Sequence, residues 1–306
     1  MAACLHRGAP AGAGAAMSAP ARAIAVRDAY AYCQRLTKRE ARNFYFAFLT
    51  LPARKRRAIY AAYSFCRQAD DIADGEGEAS AKRRELAALR DRLHEALDGK
   101  PDGPVLTALA DATKAFGVPA RLYDDVIDGV EMDIEPRRYE TFADLRVYCY
   151  RVASAVGLMS AEIFGYTDRR ALQAAEDLGL AMQITNILRD LREDAERGRV
   201  YLPLEDLRRF GYAEDDLRRG VMNDAFRALM QFEALRARDY FSAGAGLLPM
   251  VSYRARSCPA ALHGLYSRLL DRIEQRDYDV FSERVRLSTA EKLGIMAKAW
   301  LRSMIP

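Results

Sequence analysis

Histidine is scarce. His6, His94 and His263 stand far apart, which excludes a histidine-rich metal site. The five cysteines (Cys4, Cys33, Cys66, Cys149 and Cys258) are odd in number, scattered and never spaced Cys-x-x-Cys. A disulfide framework and a zinc site are therefore not expected, and a reducing, cytoplasmic compartment is. No apolar run reaches the ~18 residues that a membrane-spanning helix needs. No Gly-x-Gly-x-x-Gly motif is present, so NADPH is not expected. Basic residues number 47 against 43 acidic ones, and the net charge of +4 is spread along the chain. Nucleic-acid binding, which needs a dense basic stripe, is not expected. The mild excess suits anionic substrates, a peripheral contact with anionic lipid, or plain solubility. The first 20 residues are rich in Ala, Gly and Pro and lack the apolar core of a signal peptide. They read as a flexible tail over residues 1–21, with Met17 as an alternative start.

Strand signals are also missing: there is no Asn-Gly turn and no long Val/Ile/Thr alternation. Ala, Leu, Arg and Glu abound, and Gly and Pro cut the chain into helix-sized pieces. Helices are predicted over 52–74, 80–98, 105–116, 119–133, 141–164, 169–196, 204–209, 220–245, 258–276 and 289–303. No linker divides them, so residues 22–306 read as one all-α domain. The stretches 147–164 (Val147, Tyr148, Tyr150, Val152 and others) and 178–188 are apolar on most sides and belong in a core. Polar residues on such helices need a reason to be there.

The second of these helices carries Gln183, Asn186, Asp190 and Asp194 in steps of 3, 4 and 4, one polar stripe on an apolar rod. About 120 residues earlier, Tyr63, Arg67, Asp70 and Asp74 step by 4, 3 and 4. Each stripe ends in an Asp-x-x-x-Asp pair, whose like charges repel unless solvent or a cation separates them. Two such pairs facing each other would suit Mg²⁺, with Mn²⁺ as a substitute, since hard cations take oxygen ligands and share them with phosphates. A third acidic run, Asp124 to Asp133, reads as a polar helix face near a cavity rim. Arg54-Lys55-Arg56-Arg57 reads as a solvated helix start, with phosphate or lipid contact as the alternative. The loop Arg197 to Pro203 reads equally as solvated or as closing over bound diphosphate. The cluster Phe44-Tyr45-Phe46-Ala47-Phe48 is read as core or as a shield for a carbocation.

Tyr63-Ser64-Phe65-Cys66-Arg67-Gln68-Ala69-Asp70-Asp71-Ile72-Ala73-Asp74 resembles the first aspartate motif of the squalene/phytoene synthases. Gln183-Ile184-Thr185-Asn186-Ile187-Leu188-Arg189-Asp190, with Glu193-Asp194 and Arg199 to Pro203, resembles the second motif and its loop. Tyr148 to Gly157 is similar to the family's central helix, and Asp125 to Asp133 to another of its segments. The likeness covers roughly residues 25–300. It implies an isoprenoid synthase helical bundle around a central cavity, joining two identical prenyl diphosphates head to head with Mg²⁺. By the same likeness Asp70, Asp74, Asp190 and Asp194 would be metal ligands, with Asn186. Gln183, Arg67 and Arg189 would line the diphosphate, and Tyr148 or Tyr150 would sit over the reacting carbons. Tyr266 and Arg284 match a family Tyr and Arg near a diphosphate. One departure stands out: the family often has Ser-x-Ser-Phe where this chain has Ala41-Arg42-Asn43-Phe44, so Asn43 replaces a serine expected to contact phosphate.

The implied chemistry runs through an allylic cation in a dry cavity, attacked by the second substrate's double bond to give a cyclopropyl diphosphate. Details at Ser64 to Gln68 and Val152 to Gly157 look closest to presqualene diphosphate synthases of hopanoid pathways, which use two farnesyl diphosphates. Phytoene synthase of the carotenoid pathways, using two geranylgeranyl diphosphates, is the runner-up. A downstream pathway enzyme would take the product. The alternatives of other kinds are a non-catalytic helical scaffold, which would be expected to lose its aspartates, and a terpene cyclase, which would show an Asn/Ser/Glu triad.

Overall fold

A computed structural model describes residues 24–303, apart from the side chains of Arg42 and Asn43. The tail over 1–21, Met17 and the side chain of Asn43 thus lie outside the described residues. Among those described there is no strand, only an isolated antiparallel bridge between Tyr166 and Val251. No described helix is long and apolar enough to cross a membrane.

The punctuation sets the helices. Pro52 has the extended backbone that precedes a helix, and α3 (Ala53–Asp74) runs from there to Gly75. Before it lie α1 (Val26–Glu40) and α2 (Arg42–Leu49), neither of which the breakers announced. Then come α4 (Ala79–Leu97), α5 (Gly103–Phe116) and α6 (Arg121–Glu131), α5 stopping at Gly117 with φ of 68°. Thr141 and Asp144 form a reciprocal cap that opens α7 (Phe142–Cys149). Beyond α8 (Ala155–Phe164), α9 (Arg170–Glu196) forms the spine. Short helices α10 (Leu204–Phe210) and α11 (Glu214–Arg219) lead to α12 (Asp224–Gly244), capped by Asn223 accepting from the Phe226 N–H. The chain closes with α13 (Leu247–Met250), α14 (Ser257–Gln275) and α15 (Thr289–Ser303).

Every residue from Leu178 to Leu191 is buried, because α12 runs along α9 while α8, α13 and α14 cover other sides. The segment expected as one helix over 141–164 is instead divided: five residues, Tyr150–Ser154, form a π-helical turn between α7 and α8. Two neighbours approach this turn closely. A Cβ on Gly179 of α9 would stand 2.7 Å from Ser154 Cα, and one on Gly129 of α6 would stand 2.7 Å from Arg151 Cβ. Ser154 Oγ also donates to the carbonyl of Glu176 at 2.7 Å. Such turns inside helices are frequent at functional sites. Val147, counted with the apolar core in sequence, is half-exposed at 50%, since it faces outward ahead of the π turn.

Gly179→Ala is therefore expected to cost about 1–3 kcal/mol in a urea melt, because backbone has nowhere to yield. Gly294→Ala in α15, with open space around the position, should stabilise by up to about 1 kcal/mol. Equal effects at the two sites would show that close packing on the π turn is not a constraint.

Candidate active site

The first acidic stripe lies on the last three turns of α3. Tyr63, Arg67 and Asp70 are buried, while Asp74 reaches toward the surface. Arg67 is tied to Asp71 at 2.5 Å, the carboxylate one residue off the stripe. Asp70 Oδ2 is buried without a hydrogen-bond partner among the described residues. Burial pushes the Asp70 carboxyl well above the usual range, and the neighbouring Asp74 charge adds to it.

The second stripe, Gln183, Asn186, Asp190 and Asp194, is buried throughout, and so is Arg189 one residue off it. Asn186 Nδ2 donates to Gln183 Oε1 at 3.4 Å, leaving Gln183 Nε2 without a partner among the described residues. Arg189 Nε donates to Asp190 at 2.7 Å. Arg284, from the segment between α14 and α15, donates to the same carboxylate from Nε at 3.0 Å and also pairs with Glu193 at 3.3 Å. A recess of about 230 Å³ opens beside this clamp, lined in part by Arg189, Arg192 and Arg284. Asp194 lies beyond it. Burial first, and then Asp190, pushes its carboxyl up to about 8.

The loop after α9 joins the stripes. Arg199 donates to Asp74 at 3.3 Å and to the backbone carbonyl of Asp133 at 3.0 Å. Asp133, just past α6, accepts from Tyr201 OH at 2.7 Å and from Tyr148 OH at 2.8 Å. The Tyr148 and Tyr201 rings stack with centroids 5.0 Å apart, with Tyr139 against both. Burial, then the Asp133 charge, raises both hydroxyls far above the ordinary tyrosine range, so they stay protonated. Asp133 also acts electrostatically on Asp70 and on Asp194. Arg199 and Asp133 thus bridge from the loop after α9 to the end of the first acidic pair.

Neither Asp133 nor Tyr201 was singled out from the sequence. The run holding Asp133 was weighed on its helical stripe, and that stripe is surface: Asp124 meets His94 at 3.0 Å and Asp128 meets Arg90 at 2.5 Å. Tyr150 does not join Tyr148 at Asp133; two residues apart on a helix, their side chains point to opposite sides, and the Tyr150 hydroxyl lies 3.5 Å from Asp125. Tyr266 is buried against Phe44, ring centroids 6.1 Å apart, within the aromatic group of α2, α3 and α14.

Among the described residues, no three His, Cys, Asp or Glu side chains converge to hold a metal ion by themselves. Mg²⁺ seldom needs such a cage; it takes one or two carboxylates and completes its shell with water and phosphate. The unsatisfied oxygen of Asp70 and the repelling carboxyls of both pairs fit that mode, and the guanidiniums beside them fit a polyanion.

An all-helical bundle carrying two acidic helix stripes, with the Arg199–Asp133 cluster beside them, has the architecture of an isoprenoid synthase. The sequence model of the squalene/phytoene synthase family matches residues 37–291. A 15-cis-phytoene synthase from Synechococcus elongatus is 42% identical over 299 residues, covering 94% of this chain and 97% of that protein. Among solved structures, a dehydrosqualene synthase superposes with a TM-score of 0.83 at 32% identity, over 91% of this chain and 98% of the other. A squalene synthase from Alicyclobacillus acidocaldarius gives a TM-score of 0.78 at 28% identity, over 83% and 95%. The chain belongs to the squalene/phytoene synthase family, and is a prenyltransferase of the type that condenses prenyl diphosphates head to head.

Proposed function

We propose that the protein condenses two geranylgeranyl diphosphates to phytoene. The observation that carries this reading is the 42% identity, over nearly the whole of both chains, to a protein named 15-cis-phytoene synthase. The likeness to the dehydrosqualene and squalene synthases is weaker, at 32% and 28%. The sequence motifs leaned toward two farnesyl diphosphates, and that remains the second reading. The absence of a nucleotide motif accords with either product, since neither phytoene nor presqualene diphosphate needs a reductant.

In this reading Asp70 and Asp74 on one side, and Asp190 and Asp194 with Asn186 on the other, would hold Mg²⁺ for the substrates' diphosphates. Bound Mg²⁺ would neutralise the leaving diphosphate. Gln183 offers its unpartnered amide to the same group. Arg67, Arg189, Arg284 and Arg199 supply positive charge; the last three now rest on carboxylates that a metal would take over, and Arg67 rests on the neighbouring Asp71. Tyr148, its hydroxyl held neutral by Asp133, would stabilise the developing cation through its ring. The buried apolar wall of α8 and α9 keeps water from quenching it. A hydrocarbon product needs a lipid phase, which supports a peripheral membrane contact and hand-over to a downstream enzyme.

The test is product analysis of purified protein with Mg²⁺ and either the C15 or the C20 diphosphate, without NADPH. A C40 triene from the C20 substrate is expected. A C30 cyclopropyl diphosphate from C15 alone would transfer the assignment to the second reading. No product from either would leave a helical scaffold.

A further inference from the structure

The basic run Arg54-Lys55-Arg56-Arg57 takes no part in the acidic site, and the structure divides it. Lys55 turns inward to the carbonyl of Phe164 and to Ser252 Oγ, the latter at 2.8 Å. Arg56 donates to the carbonyl of Leu49 at 3.2 Å. Arg54 and Arg57 turn instead into a recess of about 340 Å³ between α1, α3 and α5, where Arg27 joins them. Arg54 lies over the Phe116 ring at 5.2 Å and Arg57 over the Tyr30 ring at 5.7 Å. Among the described residues none of these three guanidiniums has an ion-pair partner. The single carboxylate in the lining, Asp111, accepts from Tyr30 OH at 2.7 Å.

The recess beside Asp190 makes the contrast. There Arg189, Arg192 and Arg284 each hold a carboxylate: Asp190, Glu196, and Asp190 with Glu193. Here three positive charges gather in one concave wall with aromatic backing, a placement that concentrates anions. The 23 residues ahead of Ile24 contain no Asp or Glu, so that segment brings no neutralising side chain. Val26 and Ala115 also line the recess, Val26 standing exposed at 42%, which gives it an apolar margin. From Arg54 to Asp70 the chain is continuous helix, so the recess lies roughly 24 Å along α3 from the first acidic pair.

We infer that this recess is a second anion site, taking a phosphate group and separate from the acidic site. The shared chemistry is a phosphate oxygen set in a guanidinium fork, whether it comes from a phospholipid headgroup or from a free ion. The inference stands apart from the identity of the product.

The test compares the full-length protein with an Arg54→Gln/Arg57→Gln double variant and with Arg84→Gln, an exposed arginine on α4 without an ion pair. One arm is flotation with phosphatidylglycerol vesicles against phosphatidylcholine vesicles. The other is calorimetric titration with inorganic phosphate in the absence of Mg²⁺. Loss of roughly tenfold or more in binding by the double variant, with turnover unchanged and Arg84→Gln like wild type, is the expected result. A loss in the vesicle arm identifies a headgroup, and a loss in the phosphate arm alone identifies a free ion. No loss in either arm, or an equal loss with Arg84→Gln, overturns the site and leaves a solvated surface.

Discussion

Asp70→Asn and Asp190→Asn should each lower turnover by roughly 10²–10³-fold or more, while moving stability in opposite directions. Asp70 is buried beside Asp74, and its Oδ2 has no hydrogen-bond partner among the described residues. The metal-free protein has to neutralise that carboxyl or tolerate its charge. An amide of the same shape removes the repulsion, so the variant should unfold at about 1 kcal/mol higher cost in EDTA. Asp190 is the reverse case. It sits between Arg189 and Arg284, and the amide leaves two guanidiniums, one of them buried, short of countercharge. A loss of about 3 kcal/mol is expected, without loss of helical content at low temperature. Urea melts in EDTA measure both. Mg²⁺ with a non-hydrolysable diphosphate analogue should then stabilise wild type and neither variant. Retained turnover in Asp190→Asn would reject it as a ligand. A destabilised Asp70→Asn would show that the carboxylate has a structural partner after all.

The features behind that prediction were legible in the sequence because they are local. Pro52 and Gly75 bracket α3, Gly198 and Pro203 follow α9, and both helices fall within one residue of the ranges expected. Steps of three and four place each acidic stripe on one face whatever the rest of the chain does. The helices before Pro52 were not marked, because no Gly or Pro separates α1 from α2, and both are held by packing on α3, α5 and α14. The π turn was invisible for a related reason: it answers to Gly129 and Gly179, residues that touch it only after folding. The Asp133 hub joins residues 15 and 68 positions apart, a separation that no helical period reports. Arg284 came only through family likeness, since a lone arginine in an irregular segment carries no periodic signal. The chain length of the substrate lay out of reach because it depends on how far a cavity extends, not on which groups bind its head.

Asp133→Ala should be the second severe lesion, with turnover down by roughly 10²-fold and stability lower by about 2–4 kcal/mol, since two buried tyrosine hydroxyls lose their acceptor. That variant alone cannot separate catalysis from folding; Asp133→Asn can. Its remaining carbonyl still accepts from one tyrosine, and its amide donates to the other hydroxyl, which turns to accept. Folding is then largely preserved, whereas the negative charge aimed at Tyr148 and Tyr201 is gone. If Asp133 positions Tyr148 for the reaction, Asp133→Asn and Tyr148→Phe should each reduce kcat far more than they raise KM. Combined, they should cost no more than the worse single change, because both break one unit. Tyr201→Phe, one stacked ring further from the carbocation in this reading, should cost less. Additive losses in the double variant would make Asp133 a structural anchor only. The alkaline limb of the pH profile offers an independent check. Burial and the Asp133 charge hold the Tyr148 proton well past its ordinary range, so wild-type activity should not fall through tyrosine ionisation near pH ~10. A loss there that Tyr148→Phe abolishes would mean that the hydroxyl is not held as the structure shows.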